Sequence, residues 1–536
     1  MLCKSKRDRS LGWWKRQIQP LVIVLSFLVA CWGSASADSP TSIQEMRDRI
    51  DAHLESDWKA RNIDPAPACT DSEFLRRSYL DLIGRVPRVS ESREFLESTQ
   101  PDRRENLIGD LVSRPGYATR MANAWREFLL PVGTDLEASG GIAGFETWLR
   151  ERIALNMPYN ELVTELLQAE GDATQSGPAL FFTAWELKPE KLAASTSRAF
   201  LGMQVQCAEC HDHPFDQWSQ KDFWGYAAFF ARLQSGGGQL PPGVPAQSFI
   251  ERQAGEVTLP DTEEVVLPKH LGDTLEVATN KSRRKQLAAW IVDKKNPYFA
   301  KATVNRLWTQ LFGRGIVDPP SDMGEHNPPS HPELLDDLAT YFQETNYDVR
   351  RFMQTVAGTR AYQLSSMPSA TKPRPYDAFA EMPVKSLTAE QLYDSLATAT
   401  CKLQPANNGG QTFGINRVLD RDRQAFLGSF RAPSNVVTDY QLGMTQALTM
   451  LNGVLTNEAG DVDRSDLLGA INAPFFTDED RIETVFLAAF SRKPTEKEKQ
   501  RYGQYVADAE TDEEKQQALG DLFWALLNSS EFTLNR

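Results

Sequence analysis

Apolar residues recur along most of this chain at the three- and four-residue spacing that turns one face of a helix toward a core. Between Asp71 and Leu82, the positions Phe74, Leu75, Tyr79 and Leu82 share such a face. The same period predicts helices over 104–112, 117–130, 145–155, 161–167 and 191–205, the last opened by Pro189 and Glu190, because a first turn accepts proline and favours an acid. The pattern fails from about residue 234, where Gly236, Gly237 and Gly238 and then Pro241, Pro242 and Pro245 break any helix. Two short β-type runs, 256–259 and 264–267, predict a small strand pair there. Helical spacing resumes over 283–292, 298–312, 332–341, 388–400, 440–455, 478–490, 496–507 and 513–527. A Pro-rich loop is expected over 317–329, and a linker over 365–383, which holds Pro368, Pro373, Pro375 and Pro383. The expected fold is therefore mainly α: two packed helical domains, 42–235 and 282–535, separated by a loop with short strands at 236–281.

The first 37 residues break this pattern differently. Lys4, Lys6, Arg7, Arg9, Lys15 and Arg16 precede an apolar run from Leu21 to Trp32, and Ala35-Ser36-Ala37 follows. Basic, apolar and small residues in that order predict a secretory signal peptide cleaved after Ala37, the run being short for a membrane span. Leu28-Val29-Ala30-Cys31 supports a rival expectation, a lipid anchor at Cys31. Either way the chain is expected to be exported, periplasmic or extracellular, with no transmembrane helix in its mature part.

Charge and cysteine content narrow the function. With 58 Lys and Arg against 72 Asp and Glu, the net charge is −14, which argues against a general nucleic-acid binder. Six cysteines in 536 residues are too few for a disulfide scaffold. Cys3 and Cys31 fall in the leader; Cys69 and Cys401 are expected unpaired and buried, with a disulfide between the domains as the rival reading.

Cys207-Ala208-Glu209-Cys210-His211 is the one strong chemical motif. This C-x-x-C-H spacing is that of c-type haem attachment, two thiols for the two vinyl groups and the adjacent imidazole for the iron. Two other readings use the same residues: zinc held by Cys207, Cys210, His211 or His213 and a distant histidine, and a disulfide or redox cysteine pair. His213 precedes Pro214 and reads as a turn histidine bonding the backbone. Candidates for a further ligand are His326, His331, Met323, Met203 and His270. His331 also has a structural reading, since Ser330-His331-Pro332-Glu333 has the form of a capping box with Ser330 as N-cap. A haem would require an apolar cavity, for which Phe215, Trp218 and Trp224 are the nearby walls. No Walker loop, Gly-x-Gly-x-x-Gly or Gly-x-Ser-x-Gly is present, and no reaction is indicated. One internal echo stands out: Leu80–Pro87 and Leu487–Pro494 each read as helix end, arginine, spacer, proline and new helix. The plain explanation is two independent helix–proline junctions.

Phe74-Leu75-Arg76-Arg77-Ser78-Tyr79-Leu80-Asp81-Leu82, Gly84-Arg85-Val86-Pro87 and the stretch from Phe200-Leu201-Gly202 into 207–216 resemble a planctomycete secreted family. That family pairs a cytochrome-C-like domain with a second secreted domain, both of unknown function. The second is matched by Asn296-Pro297-Tyr298, Val304-Asn305-Arg306-Leu307-Trp308, Gly313-Arg314-Gly315, 329–335, 387–392 and 526–532. The resemblance implies a cytochrome-like role by motif and supplies no reaction or substrate. Two functions are therefore carried forward: haem c binding that serves electron transfer or an unknown redox step with an unknown redox partner or cell-surface protein, and a zinc-stabilised or metal-free extracytoplasmic module that binds a partner protein or polysaccharide. Many relatives carry an additional N-terminal cytochrome domain, for which the stretch before Asp71 leaves no room.

Overall fold

Side chains that close the first turn set the helix ends. Thr70, Thr477 and Thr495 each accept a hydrogen bond from the backbone N–H three residues on, which starts the helices Asp71–Leu82, Asp478–Phe490 and Glu496–Ala507 where the apolar pattern puts them. The computed structural model describes residues 41–131, 141–236, 248–367, 373–402, 421–430 and 444–536; the leader with Cys31 lies outside these, as do 440–443 of one expected helix. The described chain is mainly α. Its strands are short antiparallel pairs: Val257–Thr258 with Val265–Val266, Lys385–Ser386 with Leu534–Asn535, and Ser248–Glu251 between Gly171–Asp172 and Leu233–Ser235. No helix among the described residues is long and apolar enough to cross a membrane.

Two apolar cores organise Thr41–Arg536. The first runs without a break from Met46 to Met382; the second gathers residues 387–532 together with Leu80 and Val86. Apolar packing thus continues across 236–281, and the change of core comes after Met382. The expected linker at 365–383 is part of the first core. Phe379 packs edge-on against Trp308 and Phe312, and Trp58 donates its indole N–H to the Ala378 carbonyl at 2.7 Å. Proline content suggested a free connection, but Ala378, Phe379, Ala380 and Met382 among the prolines are buried.

The helix Asp71–Leu82 joins the two cores and is buried from Phe74 to Leu82. Its charges are all engaged. Arg76 donates to the carbonyls of Ala489 and Phe532 at 2.8 and 2.7 Å, and Arg77 to those of Tyr362 and Leu364 at 2.7 and 2.9 Å. Asp81 accepts from Lys385 Nζ, the Tyr362 hydroxyl and Asn535 Nδ2 at 2.7, 2.8 and 2.8 Å. Buried charge is tolerated only when paired and hydrogen-bonded in this way.

The echo between Leu80–Pro87 and Leu487–Pro494 proves to be one geometry used twice. Gly84 and Ser491 both end a helix with positive φ, at 83° and 60°. The next residue grips the glutamate six positions on through both guanidinium nitrogens: Arg85 to Glu91 at 2.9 and 3.1 Å, Arg492 to Glu498 at 2.8 and 2.9 Å. Each glutamate also accepts the N-cap amide of its own helix, from Arg88 at 2.8 Å and Thr495 at 2.7 Å. Each arginine lies over the aromatic ring six positions before it, Tyr79 or Phe486.

Candidate functional site

The approach to the C-x-x-C-H motif is a helix that changes pitch. Pro189–Thr196 is α-helical, Ser197–Leu201 continues as a wider π turn, and Gly202 ends it at φ 70°. The expected single helix over 191–205 is therefore shorter. Gly202 is required twice over: its φ is left-handed, and a Cβ there would stand 2.6 Å from the Met323 sulfur. Arg306 closes the helix end. It is buried and donates to the carbonyls of Arg198 and Ala199 at 3.2 and 3.0 Å and to Ser321 Oγ at 3.1 Å. Burial pushes its guanidinium down to about 9. The neighbouring Asn305 bonds both the N–H and the carbonyl of Val317, at 3.0 and 2.9 Å. One helix of the second segment thus holds both the helix leading into the motif and the loop 317–331.

The motif occupies a tight turn, Val205–Glu209 being a 3-10 helix. Cys207 and Cys210 are free and exposed, and His211 is exposed beside them. The following helix, Gln220–Ala227, clamps the turn from behind. Gln220 Nε2 donates to the carbonyls of Glu209 and Cys210 at 3.2 and 3.0 Å, and Trp224 Nε1 to that of Glu209 at 3.0 Å. The Gln220 N–H donates to Asp212 Oδ1 at 2.8 Å. Burial, and secondarily Glu190, hold the Glu209 carboxyl above its ordinary range.

The two histidines of the motif region have opposite roles. His211 Nδ1 lies 2.8 Å from the Asp212 carbonyl oxygen. A carbonyl only accepts, so Nδ1 carries the proton and Nε2 keeps an open lone pair. His213 Nδ1 instead accepts the Phe215 N–H at 3.3 Å, while its own backbone N–H donates to the Trp218 carbonyl at 2.8 Å. That is the turn histidine expected from Pro214.

Of the candidate further ligands, three are occupied elsewhere. His331 is buried, with Asp57 Oδ2 at 3.6 Å, Ser330 Oγ at 3.1 Å and the Phe379 ring beside it. It is itself the N-cap of Pro332–Glu344, since Ser330 Oγ donates to the Ile316 carbonyl at 3.0 Å instead of capping. The structure therefore brings His331 to Asp57 rather than to the motif, and the capping-box reading is corrected with it. His270 is sandwiched between Phe229 and Trp290, ring centroids 4.9 and 4.8 Å away. Met203 is buried in the first core. Met323 and His326 do reach the motif region. The Met323 N–H donates to the Gly202 carbonyl at 2.8 Å, and the His326 ring stacks on His213 at 6.3 Å.

The expected walled cavity is not formed as anticipated. Phe215 is 74% exposed, Trp218 is buried in the core, and Trp224 serves as a clamp. Two surface hollows of about 430 Å³ lie elsewhere, one beside Arg314, Asn327 and Tyr376 and one beside Asp51, Ala66 and Arg360. Among the described residues, no three His, Cys, Asp or Glu side chains are grouped to hold a metal ion by themselves. Cys69 is free and buried as expected; Cys401 is free but exposed, at a left-handed position (φ 60°) just past the end of its helix. Sequence reasoning did not single out Asp212, Gln220, Asn305, Arg306 or Asp322. Asp212, Asn305 and Arg306 stood within family-like motifs; Gln220 and Asp322 carry no signal at sequence level.

The class so defined is a mainly helical protein with an exposed C-x-x-C-H turn braced from both halves of the chain. Residues 49–235 match the PSCyt2 model, a protein of unknown function (DUF1549), and residues 283–425 match the PSD1 model, a protein of unknown function (DUF1553). The chain belongs to the family that pairs these two domains. No curated protein and no solved structure matches it significantly.

Proposed function

We propose that this chain is an exported cytochrome-like protein that carries haem covalently at Cys207 and Cys210, with His211 as the iron's proximal ligand. The observation that supports this most is the His211 geometry, with Nδ1 committed to the Asp212 carbonyl and Nε2 open beside two free, exposed thiols. A hydrogen bond on one ring nitrogen is how proteins fix the tautomer and orientation of a metal-binding histidine. The donor set fits the group: each thiol adds across one vinyl group, its sulfur bonding one carbon and its proton passing to the other, with no oxidant required. Phe215, exposed on the same loop, offers an apolar face for a macrocycle to cover. A bound haem supplies one-electron redox chemistry. The protein's contribution is to hold the turn rigid through Gln220 and Trp224 and to set the imidazole. A structural zinc site needs four protein donors converging on one point, and the described residues bring no three His, Cys, Asp or Glu side chains together for one, whereas covalent haem attachment takes two thiols and one imidazole. The basic, apolar and small-residue order of the leader supports export, the compartment in which haem attachment takes place. The test is production in a strain competent for haem attachment, followed by haem staining of the denatured chain. The expected result is a stained band that disappears in Cys207→Ser/Cys210→Ser; a colourless protein holding stoichiometric zinc would contradict it.

A further inference from the structure

The hollow beside Arg314, Asn327 and Tyr376 gathers side chains that the C-x-x-C-H turn does not use. Ser330 is exposed and lines it. Its hydroxyl carries one proton and has two acceptors in reach, the Ile316 carbonyl at 3.0 Å and His331 Nδ1 at 3.1 Å. At the other nitrogen of the ring, His331 Nε2 stands 3.6 Å from Asp57 Oδ2. Serine, histidine and aspartate thus follow one another in the order of a nucleophile, its base and the group that orients the base. Ser330 is available for this because His331, not Ser330, is the N-cap of Pro332–Glu344.

The electrostatics suit those roles. A carboxylate only accepts, so Asp57 favours the tautomer with the proton on Nε2 and the lone pair on Nδ1, toward Ser330. Burial lowers the His331 pKa and Asp57 opposes that shift, so at neutral pH the ring is neutral and can take a proton. Asp57 is fixed in turn by Arg61 at 3.2 Å, which also grips Asp377 on the wall of the hollow at 3.0 and 3.1 Å. The 3.6 Å gap exceeds a hydrogen bond, but catalytic contacts are often long without substrate and tighten in the complex. The hollow, about 430 Å³, has room for a small molecule. Its polar rim of Arg314, Asn327 and Asp377 favours a short acyl group over a long one. The ion pair of Arg314 to Asp318 runs from Nε and is long, at 3.5 Å, which leaves its Nη groups for an oxyanion.

We propose that Ser330, His331 and Asp57 form a second functional site, a serine hydrolase centre for short-chain carboxylic esters, with Arg314 meeting the carbonyl oxygen. Ser330 Oγ bonds the carbonyl carbon and its proton passes to His331 Nδ1. The ester C–O bond then breaks, and the leaving alkoxide takes that proton. Water attacks the acyl-serine by the same route and Ser330 regains its proton, so ester and water become acid and alcohol. Asp57 is a positioning residue from the first matched segment; the serine, histidine and arginine come from the second. The site uses no residue of the haem reading, and the two stand or fall separately.

The experiment treats the folded full-length chain with an alkyl fluorophosphonate and maps the adduct by mass spectrometry. A serine nucleophile expels fluoride and keeps the phosphonyl group. One adduct on the peptide holding Ser330 is expected, and none when the chain is denatured first. Turnover of p-nitrophenyl acetate should fall to the level of the denatured chain in Ser330→Ala and by about 10²–10⁴-fold in His331→Gln. Asp57→Asn should lower kcat and move the acid limb of the pH–rate profile to lower pH, because Asp57 raises the His331 pKa. A folded wild type unlabelled at Ser330, or full turnover in Ser330→Ala, would overturn the proposal. An acid limb that stays in place in Asp57→Asn would overturn the role of Asp57. The wild-type adduct map needs no variant, so it decides the matter even where a substitution at buried His331 folds poorly.

Discussion

Lys385 brings the second domain's positive charge to Asp81, and its ammonium is buried against that carboxylate and the Leu311 carbonyl, at 2.7 and 2.6 Å. Burial pulls its pKa below the ordinary lysine value and Asp81 opposes that shift. Removing one partner of such a pair strands the other. Lys385→Ala should therefore cost about 3–5 kcal/mol in denaturant unfolding, and a loss below about 1 kcal/mol would show that water replaces the lysine. His270 gives the pH prediction. Burial between Phe229 and Trp290 lowers its pKa from 6.5, and nearby Asp273 only partly opposes this. The folded state therefore holds the ring neutral while the unfolded chain binds a proton as pH falls. Its contribution is present above pH 6.5 and is lost as pH drops below that value. His331, lowered by burial as well, acts in the same direction. Melting temperatures measured from pH 7.5 to about 5 should fall, and His270→Phe should flatten that fall in part. An unchanged slope would place the acid sensitivity elsewhere. These residues also show what sequence conceals. Asp81 and Lys385 stand in family-like or apolar surroundings, but partners some three hundred positions apart leave no local pattern. The Nδ1 proton of His211 depends on where one carbonyl points.

At the scale of elements, period and caps were legible and junction chemistry was partly so. Asp71–Leu82 follows from four apolar positions and a threonine before them. The helix over 191–205 was overextended because the pattern carries no mark of the π turn that Arg306 stabilises from another part of the chain. The proline-rich 365–383 was misjudged because proline counts weigh connection over packing, while Phe379 packs against both Trp308 and Phe312. The repeated helix–arginine–proline junction was visible as letters, and its shared clasp only as geometry. Losing Arg85 removes two charge-assisted bonds to Glu91, and losing Arg492 removes two to Glu498 and two to Glu531. Arg85→Ala and Arg492→Ala are each expected to lower stability by about 2–4 kcal/mol, with Arg→Lys recovering only part, since an ammonium cannot grip both carboxylate oxygens in the same plane. Equal stability of the lysine and arginine forms, read by urea titration, would contradict the bidentate account.

Taken whole, the chain joins two matched segments through shared structure rather than a simple interface. The first core spans both, and Tyr159 stacks on Phe299 at 5.6 Å with parallel rings. A fragment ending at residue 236 would expose that face, so it should lack a cooperative melting transition and fixed near-ultraviolet circular dichroism; a sharp two-state melt would show the first segment to be autonomous. The mainly helical class was readable from period alone. The candidate site was visible in sequence as the letters C-x-x-C-H, but the contacts that brace this turn were not, because Asn305, Arg306 and the 322–326 loop approach it only through the fold. The central claim is that this turn carries haem, and intact-mass measurement of the denatured chain, purified from a strain that attaches haem, tests it most directly. The account predicts one added haem mass per chain, retained through denaturation and mapped to the peptide holding Cys207, Cys210 and His211. An unmodified mass with both thiols open to alkylation would contradict it.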